Sequence, residues 1–299
     1  MPVDHDYTSP DFARFPSEFL DVPDFSVMAE EGGFECGMIP DPDELEQLIL
    51  ARPFRERMAL IPEDEWPERI ADIDNSPHGW LERLIRKIKA QLREGSCVYN
   101  AAGQGLELAS IKTMGADYWV ELSAISGYRW NAAGPRTGSN VGQSLNHIRE
   151  VGLLPVNSER NKELLQQGKF QHTHPATGYY NKFQPGWQTT AKMFRVREWL
   201  KLGSVEEWVS AQLQGLPCIG GRDRHCICHV RPLMKSGRPN SLYVNSWGVQ
   251  WGLTYRIATG ESRGFGVDSL SKIATMVGRG AYAIRDVYLL PWHPLYLAV

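Results

Sequence analysis

Three short stretches of this 299-residue chain carry side chains able to do nucleophilic chemistry. In GSCVYNA, Cys97 follows Gly95 and Ser96 and opens an expected helix. A thiol at a helix N-terminus faces unpaired backbone N–H groups and the positive end of the helix dipole, both of which favour its thiolate. Taken alone, a single cysteine reads as readily as a small buried hydrophobe. In RHCICHV, far down the chain, His225 supplies an imidazole. In NSWGVQWG, a strand end followed by a Gly-rich turn, Asn245 and Trp247 share one strand face. A Cys–His pair needs a third group to orient the ring, and an amide serves; an aromatic side chain over that contact keeps water from it.

The cluster HCICH also invites a zinc reading, because all four polar residues are ligand types. Strand geometry argues against it. Neighbours point to opposite faces, so His225, Ile227 and His229 share one side and Cys226 with Cys228 the other. His225 and His229 lie roughly 13 Å apart along such a strand. Core packing by the two cysteines is the better reading, and no metal is expected.

The elements that must hold these groups are helical first and stranded later. Residues 80–92, WLERLIRKIKAQL, place Leu81, Leu84, Ile85, Ile88 and Leu92 on one helical stripe, with Arg83, Arg86, Lys87, Lys89 and Arg93 on a solvated outer face. A second helix runs from Ser96 to about Met114, with Leu106, Ala109, Ile111 and Met114 inward and Gly115 as C-cap. Gly103 and Gly105 inside it each cost about 1 kcal/mol relative to Ala, which suggests close packing against that helix. Helices are also expected within 138–155, ending at Gly152, and over 204–215. HCICHV, SLYVNSW, TYRIAT and AYAIRDVYLL read as short strands. Segregated helices and strands predict an α+β protein.

Residues 1–60 read as a Pro-rich arm, with Asp43 capping one helical stretch and Phe12, Phe15, Phe19 and Phe25 expected to be buried against another surface. Packing beside Cys97 would make the arm inhibitory; packing elsewhere would make it an anchor in a larger protein assembly, and the anchor is the expectation. Lys plus Arg is 32 against 35 for Asp plus Glu, a net charge of −3 that argues against nucleic acid as partner. No apolar run is long enough to span a bilayer, no secretory signal is visible, and five cysteines are too few for a disulfide scaffold. A cytoplasmic or virion setting with free thiols is expected.

The order Cys97, His225, Asn245 and the run NSWGVQWG resemble the papain-like cysteine peptidases. LIPEDEWPERI (60–70) and VELSAIS (120–126) are similar to further family segments, and the resemblance covers roughly residues 60–299. It implies a two-lobed fold over 61–299, with a helical lobe over about 80–157, an antiparallel β lobe over about 158–299, and the extended arm before them. It also implies Gln91 as an oxyanion-hole donor and the Gly138–Ser139 neighbourhood as the strand edge that pairs with substrate. Three departures matter: Glu94 stands where the family has a disulfide cysteine, Val98 replaces a Trp, and GLPCIGG reaches His225 after only a few residues.

The activity implied is hydrolysis of peptide bonds in a peptide or protein substrate. His225 takes the Cys97 proton, the thiolate attacks the carbonyl, the Cys97 N–H and Gln91 hold the oxyanion, and water releases the acyl-enzyme. That chemistry needs no cofactor. The alternative is a structural or binding component, such as a phage virion protein, that uses the scaffold with weak or no activity.

Overall fold

The computed structural model describes residues 36–41, 51–76 and 79–298. Asp43 and the four arm phenylalanines lie outside the described residues. The chain enters through β1 (Met38–Ile39) and β2 (Arg52–Pro53), then α1 (Trp66–Asp74). A helical layer follows: α2 (Cys97–Met114), β3 (Leu122–Ser123), α3 (Ala124–Asn131), β4 (Ser139–Asn140) and α4 (Val141–Glu150). β5 (Leu154–Pro155), α5 (Glu159–Gln166) and α6 (Trp187–Ala191) lead into the sheet layer. That layer contains β6 (Val196–Lys201), α7 (Val205–Leu213), β7 (Cys218–Arg222), β8 (His225–Lys235) and β9 (Arg238–Val244). It closes with β10 (Leu253–Ile257), β11 (Gly260–Ser269), α8 (Leu270–Val277) and β12 (Tyr282–Val287).

Eight strands form one sheet in the order β10-β11-β9-β8-β7-β12-β6-β2, antiparallel throughout except where β2 joins the β6 edge in parallel. The helix α2 is the axle between the layers. Fifteen of its residues are buried, so its amphipathic pattern is weak: apolar neighbours surround it. A Cβ on Gly105 would meet Ile219 and Ile284 side-chain carbons at 3.0 Å, which is why a helix interior tolerates glycine there. Leu106, Ala109, Ile111 and Met114 are buried as expected, and Gly115 ends the helix at φ 99°. The helices over 138–155 and 204–215 form as Val141–Glu150 and Val205–Leu213; Ser204 caps the latter by accepting from the Glu207 N–H at 3.2 Å. Among the described residues no helix is long and apolar enough to cross a membrane.

The expected helix over 80–92 does not form. One 3-10 turn, Leu81–Leu84, gives way to extended chain. Ile85 and Ile88 are buried in either conformation, so the apolar spacing alone does not discriminate. Tertiary hydrogen bonds do. The Ile85, Lys89 and Ser246 carbonyls accept from the N–H groups of Ala258, Gly248 and Gln91 at 2.9, 3.0 and 2.8 Å, so the segment is pinned to the β layer like an extra strand. Part of the cationic set departs from the solvated face. Lys89 is half-buried with Glu107 at 2.6 Å and Arg86 lies over Trp119, while exposed Lys87 reaches Glu121 at 2.7 Å.

Candidate active site

Local chemistry places each member of the site at the end of an element. Cys97 is the first residue of α2, fully buried, with Ser96 as the preceding cap. His225 is the first residue of β8, delivered by a two-residue turn in which Asp223 and Arg224 both have positive φ, 51° and 60°. Such a turn matches the twist of the flanking strands, which explains how GLPCIGG reaches the histidine so quickly. Asn245 follows β9 directly, its N–H donating to the Gly264 carbonyl at 2.8 Å.

These elements bring His225, Asn245 and Trp247 together. His225 Nε2 and Asn245 Oδ1 are 2.7 Å apart, so the ring donates to the amide oxygen, which also accepts the Ser246 N–H at 2.7 Å. Trp247 is buried, its ring 4.6 Å from the His225 ring and tilted by 35°. The Cys97 sulfur meets the backbone of Cys226, the residue after His225, and that of Gly37 and Val98. Gln91 lies on extended chain rather than at a helix end. Its side chain donates to the Glu94 carbonyl at 2.9 Å and accepts from Ser246 Oγ at 2.5 Å. None of the five cysteines is joined in a disulfide. Cys226 and Cys228 pack in the core shared with α2, while His229, on the opposite face, stacks edge-on to Trp208. Among the described residues no three His, Cys, Asp or Glu side chains converge as a metal site.

Residues 36–41, a described piece of the arm, lie beside Cys97; the rest of the segment before residue 51 is outside the described residues. β1 pairs with β4 in parallel, Met38 opposite Ser139 and Ile39 opposite Asn140. The Gly37 carbonyl accepts the Ser139 N–H at 2.7 Å, and the Met38 N–H donates to the Arg224 carbonyl at 2.7 Å. Three backbones touch here without side chains between them. A Cβ on Gly37 would sit 2.1 Å from the Gly95 carbonyl oxygen, and one on Gly138 (φ 73°) 2.2 Å from that of Gly37. Met38 is buried beside Gly221. Asp41 closes the segment, accepting from the Gly142 N–H at 3.1 Å and the Tyr282 hydroxyl at 2.8 Å. The Gly138–Ser139 edge is thus paired with residues 37–39 of the same chain.

Burial sets the electrostatics. It raises the Cys97 thiol above its ordinary value, against backbone hydrogen bonds from Cys226, Gly37 and Val98. It lowers His225 to about 4, against the Asn245 hydrogen bond and with help from the Arg222 charge. Both shifts favour the uncharged forms.

Two parts of the site escaped the sequence reading. One is a buried network behind His225. Arg222, paired with His225 across β7 and β8, binds Asp268 through Nε at 3.2 Å and Nη2 at 3.0 Å, and also meets Asp223. The other is what Glu94 does in place of a disulfide. Its Oε1 accepts the N–H groups of Gly178 and Tyr179 at 2.9 and 2.7 Å. Tyr179 packs edge-on against Tyr128, whose hydroxyl accepts the Gly138 N–H at 3.1 Å. One carboxylate thus ties the Cys97 loop to the loop that supports the Gly138–Ser139 edge. Hydrogen bonds to charged groups contribute about 1.5–3 kcal/mol each. Glu94→Ala is expected to lower unfolding free energy by about 2–4 kcal/mol in denaturant titrations, and Glu94→Gln, which keeps an acceptor oxygen, by less than half of that. Equal losses in the two variants would show that the clamp is not what stabilises the loop.

No family model matches this sequence, and no curated protein sequence matches it. Solved structures do. The structure is similar to xylellain, a cysteine protease from Xylella fastidiosa, at 13% identity and a TM-score of 0.51, covering 84% of this chain and 96% of that one. It is similar to digestive procathepsin L2 proteinase from the larval midgut of Tenebrio molitor at 16% identity and a TM-score of 0.56, covering 90% of this chain and 84% of that one. Digestive procathepsin L 3 from the same tissue aligns at 12% identity and a TM-score of 0.50, over 88% of this chain and 86% of that one. With an antiparallel β layer packed on α2 and Cys97, His225 and Asn245 at the junction, the chain has the papain-like cysteine-protease fold.

Proposed function

We propose that this protein is a cysteine peptidase held closed by residues 36–41. The observation that carries the reading is the 2.7 Å contact of His225 with Asn245, roofed by Trp247, beside a cysteine at a helix N-terminus. In the open enzyme His225 takes the Cys97 proton, and Asn245 fixes the ring so that the other nitrogen faces the sulfur. The thiolate attacks a peptide carbonyl aligned on the Gly138–Ser139 edge. The developing oxyanion is held by the Cys97 N–H and the Gln91 side chain, and His225 returns the proton to the leaving amine. Water, activated by His225, then hydrolyses the thioester.

The test is active-site labelling of a chain that starts at residue 51. Deletion at 60 would remove Arg52–Pro53, an edge strand, and Phe54, which is fully buried, so the cut belongs before them. An epoxide inhibitor of papain-like enzymes is expected to label Cys97 alone, one per chain, with loss of hydrolysis of a generic fluorogenic peptide. Cys97→Ala should lose both. A truncated, folded protein that neither reacts nor hydrolyses would leave a scaffold without peptidase chemistry.

A further inference from the structure

We propose that the arginine-lined cavity at the β2–β6–β12 edge of the large sheet is a binding site for a compact polyphosphate; the reading is independent of the peptidase proposal. The cavity has a volume of about 570 Å³, and its wall carries Arg52, Arg57, Arg149, Arg197 and Arg285. These converge from separate elements: β2, the turn after it, the end of α4, β6 and β12. A chain of net charge −3 has gathered five guanidinium groups into one concavity.

The carboxylates present do not neutralise it. Among the described residues Glu198 and Asp286 share the wall, which leaves a net charge of +3 there. Glu198 accepts from Arg57 Nε at 2.8 Å and from Arg285. Partial burial works to raise its proton affinity, but those two arginines outweigh it and hold the carboxyl below its ordinary value. Asp286 lies 3.4 Å from Arg197 and accepts the Val287 N–H at 2.8 Å. The two acids therefore act as struts that orient guanidinium groups. Arg149 lies over the Trp199 ring, 5.7 Å from its centroid, which fixes it while leaving its N–H edge for a ligand.

A ligand must offer about three negative charges within one cavity and acceptor oxygens that suit forked donors. Phosphate oxygens meet guanidinium groups bidentately, and several linked phosphates supply the charge in a small volume. A single phosphate would leave the cavity cationic. An extended nucleic acid would run beyond the cavity onto a surface of opposite net sign. Arg52 and Arg57 belong to the segment that joins the arm to the domain, so a bound polyphosphate would also bridge that segment to β6 and β12.

Titration calorimetry of the full chain with tripolyphosphate tests this. Arg149→Gln/Arg197→Gln is expected to weaken binding by about tenfold or more and to flatten its salt dependence. The control pair Arg256→Gln/Arg263→Gln, exposed on the β10–β11 hairpin at the other end of the sheet, should leave affinity unchanged. A second measurement needs no variant: tripolyphosphate should shield the cavity arginines of the wild-type chain from phenylglyoxal, read by peptide mass spectrometry. Absence of binding, equal weakening by both pairs, or modification unchanged by the ligand would overturn the proposal. Citrate binding as tightly as tripolyphosphate would overturn the assignment to phosphate.

Discussion

Gly37→Ala is expected to switch the full-length chain on. The added methyl group would stand 2.1 Å from the Gly95 carbonyl oxygen, and backbone cannot swing aside as a flexible side chain can. Overpacking of this kind costs about 1–3 kcal/mol. That cost falls only on the seated arm, because the open molecule has no such contact. The open population, and with it peptide hydrolysis, should rise roughly fivefold to a hundredfold. Deletion of residues 1–50 removes the occupant altogether and should raise activity at least as far. A second signature follows from the site's electrostatics. Water readmitted to the cleft relieves the burial that holds the thiol up and His225 down to about 4, so the two proton affinities move toward each other. Alkylation of Cys97 by iodoacetamide at about pH 6 should therefore be fast in the open variants and slow in the full chain. Folded variants of both kinds that are no more active and no more reactive than the full chain would refute an inhibitory seat.

How much of this was legible in the sequence depends on whether the deciding contacts are local. Cys97 at a helix start and Asn245 with Trp247 at a strand end are set by a few neighbouring residues, and the structure places Asn245 and Trp247 against His225. The alternation in HCICH was equally readable. Segment 80–92 was not, because Leu81, Leu84, Ile85 and Ile88 fit a helical stripe as well as they fit an extended run. What decided was the set of donors waiting at Gly248 and Ala258 and the carboxylates of Glu107 and Glu121, all distant in sequence. The seat of residues 36–41 is harder still. It is made by backbone groups on Gly37, Met38, Ser139 and Arg224, which leave no side-chain pattern. Its one trace is glycine at 37, 95 and 138, where three backbones must touch. Glu94 was visible as a departure from the motif, yet its partners are two peptide N–H groups that no composition reveals.

The second large effect concerns stability and lies behind His225. Arg222 and Asp268 are both buried, joined by two guanidinium nitrogens, with His229 3.8 Å from the same carboxylate. A buried ion pair contributes little net stability, because desolvation of two charges offsets their attraction. Removing one partner is different, since the other charge stays inside the protein. Asp268→Ala is expected to lower unfolding free energy by about 3–5 kcal/mol, which for a domain of this size is a fall in Tm of the order of 10 °C. Arg222→Leu/Asp268→Leu should recover most of that loss, because no fully buried charge is left unpaired; Asp223, the other partner of Arg222, is partly exposed. The double variant then isolates a functional consequence. Arg222 pairs with His225 across β7 and β8, and after burial itself its charge helps to lower the imidazole's proton affinity. With that charge gone, and the desolvation and the Asn245 contact unchanged, His225 should hold its proton to higher pH. In a chain lacking residues 1–50, the acid limb of peptide hydrolysis in Arg222→Leu/Asp268→Leu should shift to higher pH. An unshifted limb with restored stability would confine the network to a structural role, and a double variant as unstable as Asp268→Ala would show that the pair stabilises through geometry that leucines do not replace.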